Sequence, residues 1–184
     1  MTALLLTPGA SADRNSPALV AIDRALSGQG VAVERIDLPS SRPGPKVYDT
    51  IRDSSAALAQ RAGAVPGDVV LGGRSFGGRM CSMVVADGWP AAGLVLVSYP
   101  LHPPGRPENR RTEHLPRLGV PCLFVSGTRD PFATPAELEE ASAAIPGPVT
   151  HAWIEGGGHG LRGQDQAVAA VVRDWVLGLS GPRG

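Results

Sequence analysis

Between an apolar run at residues 68–71 and the helical period that begins at Phe76, the chain has room only for a tight turn, Gly72-Gly73-Arg74-Ser75-Phe76-Gly77-Gly78. Gly73 to Gly77 fits G-x-S-x-G, a pattern whose structural context is a strand running straight into a helix. The reason is steric. A serine held in so sharp a turn needs neighbours without Cβ two residues before it and two residues after it. That geometry lifts the hydroxyl clear of the sheet and turns it toward the positive end of the following helix. In a chain with 24 glycines the pattern alone says little, so the strand before it and the helix after it carry the reading.

The rest of the chain repeats this alternation. Short leucine or β-branched runs separated by helical stretches predict a mostly parallel sheet covered on both faces. Strands are expected at residues 3–7, 31–38, 68–71, 94–98, 122–126 and 149–154. Ser16-Pro17 opens a helix with Leu19, Ile22 and Leu26 as its apolar stripe, and Gly28 and Gly30 end it. A second helix carries Val47, Ile51 and Leu58, and a third covers residues 76–86. Thr134-Pro135-Ala136-Glu137 reads as a capping box with proline at the first helical position, opening a helix with Leu138, Ala141 and Ile145. Val168, Val171, Val172, Trp175 and Val176 fall at i, i+3, i+4, i+7 and i+8 of a last helix. Residues 100–116, with five prolines and three arginines, form the longest stretch without a period. Six strands and about six helices in this order predict an α/β fold, a three-layer α/β/α sandwich around a mostly parallel six-stranded sheet.

At 184 residues the chain suits one such domain, expected over residues 1–180 with a short tail at 181–184. Lys+Arg and Asp+Glu balance at 17 each, so no net field draws the chain to nucleic acid or to an anionic membrane. No apolar run approaches the ~20 residues of a membrane span. The opening MTALLLTPGASA lacks the basic start of a secretion signal. Cys81 and Cys122 each lie inside an apolar run and read as buried small hydrophobes. Together these features point to a cytoplasmic protein.

A nucleophilic serine needs a base and an orienting acid, in the order Ser, acid, His, on loops that follow later strands. Asp130 follows the fifth expected strand in Ser126-Gly127-Thr128-Arg129-Asp130-Pro131, and His159 follows the sixth in Gly156-Gly157-Gly158-His159-Gly160. In a parallel sheet these loops emerge at one edge, where ligands bind. An oxyanion site needs two backbone N–H donors. Phe76, after the serine, would supply one. The loop after the first strand, Thr7-Pro8-Gly9-Ala10-Ser11, would supply the other from Gly9 or Ala10, because Pro8 has no N–H. Arg74, His102 and Arg111 are candidates for holding an anionic part of a substrate. Gly158 to Gly163 matches G-x-G-x-x-G, but only 21 residues follow it, too few for the strand that carries a ribose-binding acid. Lys46 is the sole lysine and no glycine loop precedes it, so a P-loop is absent. The four histidines and two cysteines show no metal-ligand spacing, and neither a metal nor an organic cofactor is expected.

The element order and the set Ser75, Asp130, His159 resemble the α/β-hydrolase superfamily over nearly the whole chain. Three stretches resemble more narrowly the hydrolase-like domain of testis-expressed hydrolase-like proteins and of a subunit of the non-specific lethal histone-acetylation complex. These are residues 72–79, the stretch Ser98-Tyr99-Pro100-Leu101-His102-Pro103-Pro104-Gly105, and Gly127-Thr128-Arg129-Asp130-Pro131-Phe132. Dienelactone-hydrolase-like enzymes share the layout. The resemblance implies a sheet with no cap domain, Ser75 as nucleophile, Asp130 as acid and His159 as base. Many relatives read His-Gly in the first loop, where this chain has Thr7-Pro8-Gly9.

The expectation is therefore a serine hydrolase of carboxylesterase or thioesterase type, acting on esters of small acyl groups through an acyl-enzyme. The alternative is a non-catalytic binding or scaffold protein that keeps the fold and uses a protein partner. Cys81 as nucleophile is a third reading, disfavoured by its place inside an apolar helix.

Overall fold

The first strand, β1 (Ala3–Thr7), is buried along its whole length, as a strand covered on both faces of a sheet must be. The structure, a computed structural model, describes residues 2–179, so the expected tail at 181–184 lies outside it. After β1 follow α1 (Pro17–Leu26), β2 (Ala32–Arg35), α2 (Pro45–Arg61), β3 (Val69–Arg74) and α3 (Phe76–Ala86). Next come β4 (Gly93–Val97), β5 (Cys122–Gly127), α4 (Pro135–Ser142), β6 (Val149–Ile154) and α5 (Asp165–Leu179). The strands form one sheet in the order β2-β1-β3-β4-β5-β6, and every pairing is parallel.

Alternate residues of each strand divide the core in two. Leu5, Leu71, Leu94, Leu96 and Phe124 face α2, α3 and α4, packing with Val47, Ile51, Met80, Val84 and Leu138. Leu4, Leu6, Val70, Val95 and Val125 face α1 and α5, packing with Leu19, Ile22, Val168, Val172 and Val176. This is the expected three-layer sandwich. Among the described residues there are five α-helices and two short 3₁₀ turns, at Pro66–Asp68 and Leu115–Arg117.

Three boundaries differ from expectation. The third strand runs on through Gly72 and Gly73 to Arg74, because these residues pair with Val95, Leu96 and Val97 of β4. The second strand stops at Arg35, not near Leu38. It is a half-buried edge strand with one neighbour, and only the Ile36 N–H to Leu6 carbonyl bond (3.0 Å) prolongs it. The helix α4 ends at Ser142, because the chain tightens into short turns before Pro146, where the Ile145 N–H reaches the Ser142 carbonyl at 3.0 Å.

Sequence order reverses between β1 and β3. The chain leaves β1 outward to β2, then returns across it to build the other half of the sheet. The loops after β1 and β3 therefore part at their carboxyl ends and leave a crevice between them. Ser75 stands at that point.

Candidate active site

Ser75 has φ 50° and ψ −116°, a conformation that L-residues rarely adopt. Its N–H is tied to the Val97 carbonyl at 2.8 Å, and its own carbonyl accepts from the Arg79 N–H at 3.0 Å. The glycines around it allow close backbone approach. A Cβ at Gly73 would lie 2.1 Å from Thr7 Oγ1, one at Gly77 2.4 Å from the Pro8 carbonyl oxygen, and one at Gly78 2.7 Å from the Gly73 carbonyl oxygen. The turn is thus pressed onto the end of β1, and the buried Thr7 hydroxyl donates to the Gly72 carbonyl at 2.9 Å.

A second close approach brings together the loops after β5 and β6. A Cβ at Gly127 would meet the Gly157 carbonyl oxygen at 2.1 Å. Cross-bonds stitch the two loops: Arg129 N–H to the Gly157 carbonyl (2.9 Å), Thr128 N–H to the Ile154 carbonyl (3.1 Å), and Gly156 N–H to Thr128 Oγ1 (2.8 Å). Asp130 emerges from this junction almost fully buried, at 2% exposure. Its Oδ1 accepts the Phe132 N–H at 2.8 Å, and its two oxygens lie 3.0 and 2.9 Å from His159 Nδ1. With Nδ1–H donated to the carboxylate, Nε2 is left as an acceptor. Ser75 Oγ lies 2.8 Å from that Nε2. Phe132 stacks on the imidazole with ring centroids 3.9 Å apart, and Arg74 donates to the His159 carbonyl at 3.0 Å. The ring is held on its face, its backbone and its Nδ1 edge.

The three sequence-predicted residues Ser75, Asp130 and His159 are therefore joined in one hydrogen-bonded chain. A cleft of about 340 Å³ opens over Ser75. Gly9, Ala10 and Phe76 line it, and a Cβ on Gly9 would be 3.7 Å from Ser75 Cβ. Phe76 is the first residue of α3, so its N–H has no acceptor within the helix. Arg74 and Arg111 line the same cleft.

His102 does not. Its segment folds inward, with the His102 N–H on the Phe132 carbonyl at 3.1 Å, and the side chain is 4% exposed. There Nδ1 meets the Pro103 carbonyl at 2.8 Å and Nε2 faces Glu137 at 3.4 Å. His102 ties the loop before α4 to the 100–116 segment and does not reach the cleft. The cleft's other cation is Arg79, a turn beyond Ser75, which sequence reasoning did not single out as a site residue. Its signal was i+4 spacing from the serine on a helix. Phe132, Pro100 and Ser41 also line the cleft and were not singled out.

Two further clusters lie apart from Ser75. Cys81 is fully buried, and burial pushes its thiol up to about 12, so its thiolate is disfavoured. Ser82, Tyr99 and His114 form a buried knot, with Ser82 Oγ and Tyr99 Oη at 2.8 and 3.0 Å from His114 Nε2. Burial lowers the His114 pKa to about 4. Among the described residues no group of three or more His, Cys, Asp or Glu is placed to hold a metal ion, and no helix is long and apolar enough to cross a membrane.

A family model described as an alpha/beta hydrolase domain matches residues 1–171. Epoxide hydrolase A of Mycobacterium tuberculosis is 35% identical over 63 residues, which are 34% of this chain and 20% of that protein. Pimeloyl-(acyl-carrier protein) methyl ester esterase of Stenotrophomonas maltophilia is 35% identical over 66 residues, 36% of this chain and 26% of that one. The matches thus span about a quarter or less of these curated relatives. The solved structure of Est1E from Butyrivibrio proteoclasticus superposes with a TM-score of 0.81, covering 97% of this chain and 88% of that one. At 17% identity that is a likeness of fold.

Proposed function

The chain belongs to the alpha/beta hydrolase domain family, and on that premise we propose that it is a serine hydrolase cleaving small acyl esters or thioesters. The observation that carries the reading is the chain of short contacts from Ser75 Oγ through His159 to the buried Asp130 carboxylate, at 2.8 Å and then 2.9 Å. Its support among the relatives is the methyl ester esterase, whose name describes ester cleavage.

In this mechanism His159 Nε2 takes the Ser75 proton as Oγ attacks the acyl carbon. The carbonyl π pair moves to oxygen, where the N–H groups of Phe76 and of Gly9 or Ala10 stabilise it. Collapse expels the alcohol or thiol, which leaves with the proton from Nε2. Water then attacks the acyl-Ser75 ester with His159 as base, and the acid departs as Ser75 regains its proton. Asp130 remains a carboxylate throughout, fixing the tautomer and stabilising the imidazolium. A cleft of about 340 Å³ suits short acyl chains.

The test is labelling by a fluorophosphonate probe beside the Ser75→Ala variant. Labelling of the folded protein that vanishes in the variant is expected, together with preference for short over long acyl chains in a p-nitrophenyl ester series. A folded wild-type protein that takes no label would overturn the reading.

A further inference from the structure

The cleft over Ser75 has a positive lining, with Asp130 and Asp165 acting on Arg74 from outside it. Its charged lining residues are Arg74, Arg79 and Arg111, and no carboxylate lines it. Among the described residues seven arginines outside the cleft pair with an acid, as Arg14 does with Asp37 and Arg110 with Glu140. Arg24, Arg42, Arg106, Arg129 and Arg162 do not, so what sets the cleft arginines apart is that three of them share one cavity. These three enter no ion pair among the described residues. Arg74 has a structural task, donating to the His159 carbonyl. Arg79 and Arg111 have no such task. Arg79 Nε is buried with no acceptor, and the Arg111 N–H to Leu101 carbonyl bond (2.9 Å) fixes the backbone of the second.

A buried donor without an acceptor is costly, and a guanidinium more so, unless something else completes it. Burial holds Arg79 below its usual range, and the nearby Arg111 charge lowers it further; Tyr99, Tyr48 and Glu113 act the other way. Two like charges thus line the cleft that holds Ser75, one of them partly desolvated. An oxyanion between them would give the terminal N–H groups of Arg79 and Arg111 an acceptor and relieve the repulsion, through the charge-assisted hydrogen bonds at which guanidinium excels.

We propose that the substrate cleaved at this site carries an anionic group, carboxylate or phosphate, gripped by Arg79 and Arg111. The inference rests on the hydrolase reading and narrows it. Arg79 lies four residues beyond Ser75, which caps α3, and both line the one cleft of about 340 Å³, so the anion and the scissile carbonyl share that cavity. The two guanidiniums are specificity determinants and take no part in proton transfer.

Two pairs of neutral and anionic substrates test it and separate the sources. In the first, p-nitrophenyl hemiglutarate is compared with p-nitrophenyl pentanoate, which places a carboxylate on the acyl side. In the second, 4-(phosphonomethyl)phenyl acetate is compared with phenyl acetate, which places a phosphate-like group on the leaving side. At least one anionic member should have kcat/KM about tenfold or more above its partner, and added salt should shrink the ratio. Arg111→Gln, in a loop, should lower that ratio about tenfold, and Arg79→Glu should reverse it. Calorimetry with Ser75→Ala should detect monomethyl glutarate binding well above methyl pentanoate, with no turnover needed. Neutral esters cleaved through Ser75 with no anionic preference in either pair would overturn this proposal and leave the hydrolase reading intact. Failure of probe labelling would overturn the hydrolase reading, and the calorimetry on Ser75→Ala would still decide whether the cleft binds an anion.

Discussion

A left-handed backbone at Ser75 costs on the order of 1–3 kcal/mol and persists only where its surroundings over-determine it. Here the surroundings are glycines pressed against the end of β1. Gly77→Ala would set a Cβ 2.4 Å from both the Pro8 carbonyl oxygen and Thr7 Oγ1. Backbone on one side and a buried hydroxyl on the other leave nothing flexible to move. The variant should lose about 1–3 kcal/mol in urea unfolding and label more slowly with a fluorophosphonate, since displacing the β1 loop also moves Gly9. Asp130→Asn should fold normally but drop kcat on the order of 10⁴-fold, because an amide can stabilise the wrong imidazole tautomer. Unchanged turnover in Asp130→Asn would remove Asp130 from the mechanism. Ser75 and His159 were legible because each sits among residues without Cβ at a strand end, and backbone approach of that kind is written in sequence as glycine. Asp130 was legible from its place after the fifth strand, between Ser75 and His159 in chain order. Arg79 was readable only through its i+4 spacing from Ser75 on α3, and the places of His102 and Arg111 were not readable. Which cations face the crevice depends on how the 100–116 segment crosses it, and that path is set by non-local bonds such as His102 N–H to the Phe132 carbonyl. No local pattern encodes them.

At the scale of elements, strand and helix identity followed from periodicity, while boundaries slipped wherever tertiary neighbours decide the end. β2 shortened as an edge strand and α4 shortened into turns. The start of α4 was readable because a cap is local chemistry. Thr134 Oγ1 accepts the Glu137 N–H, and the Glu137 carboxylate accepts the Thr134 N–H at 2.9 Å and its hydroxyl at 2.7 Å. These hydrogen bonds, with a smaller contribution from His102, hold Glu137 down at about 2, against an ordinary 4.5. A lowered carboxylate pKa means that the cap's contribution is whole above about pH 4.5 and is lost as pH falls toward about 2. Thr134→Ala should cost about 1 kcal/mol at pH 7. The difference from wild type should narrow as the unfolding series is carried down to pH 3. A constant difference across that range would separate the Glu137 charge from the cap.

Across the whole molecule, the segment that carries Arg111 is held to the body by the knot of Ser82 on α3, Tyr99 after β4, and His114. His114 is buried, and the positive charges of Arg79 and Arg117 add to desolvation in keeping it neutral; Glu113 and Asp87 oppose them more weakly. Its folded pKa of about 4 lies below its ordinary 6.5, so between these values the unfolded chain binds the extra proton. Stability contributed by neutral His114 is therefore whole above about pH 6.5 and is lost as pH falls toward about 4. One such group gives at most about 1.4 kcal/mol per pH unit. His151, half-buried beside Ser142, is lowered by burial too and adds the same sign. Urea midpoints of wild type and His114→Gln, taken from pH 7.5 to pH 4.5, separate the two. The variant should be less stable at pH 7.5 and have a clearly flatter slope, the residual belonging to His151 and other groups. Because the knot anchors the wall of the cleft, protonation of His114 in the folded protein should also raise KM for the preferred anionic ester faster in wild type than in His114→Gln as pH approaches about 4. Parallel slopes in both measurements would mean that the segment is held by its proline-rich backbone and its Leu101 and Leu115 contacts, with the buried histidine a passenger.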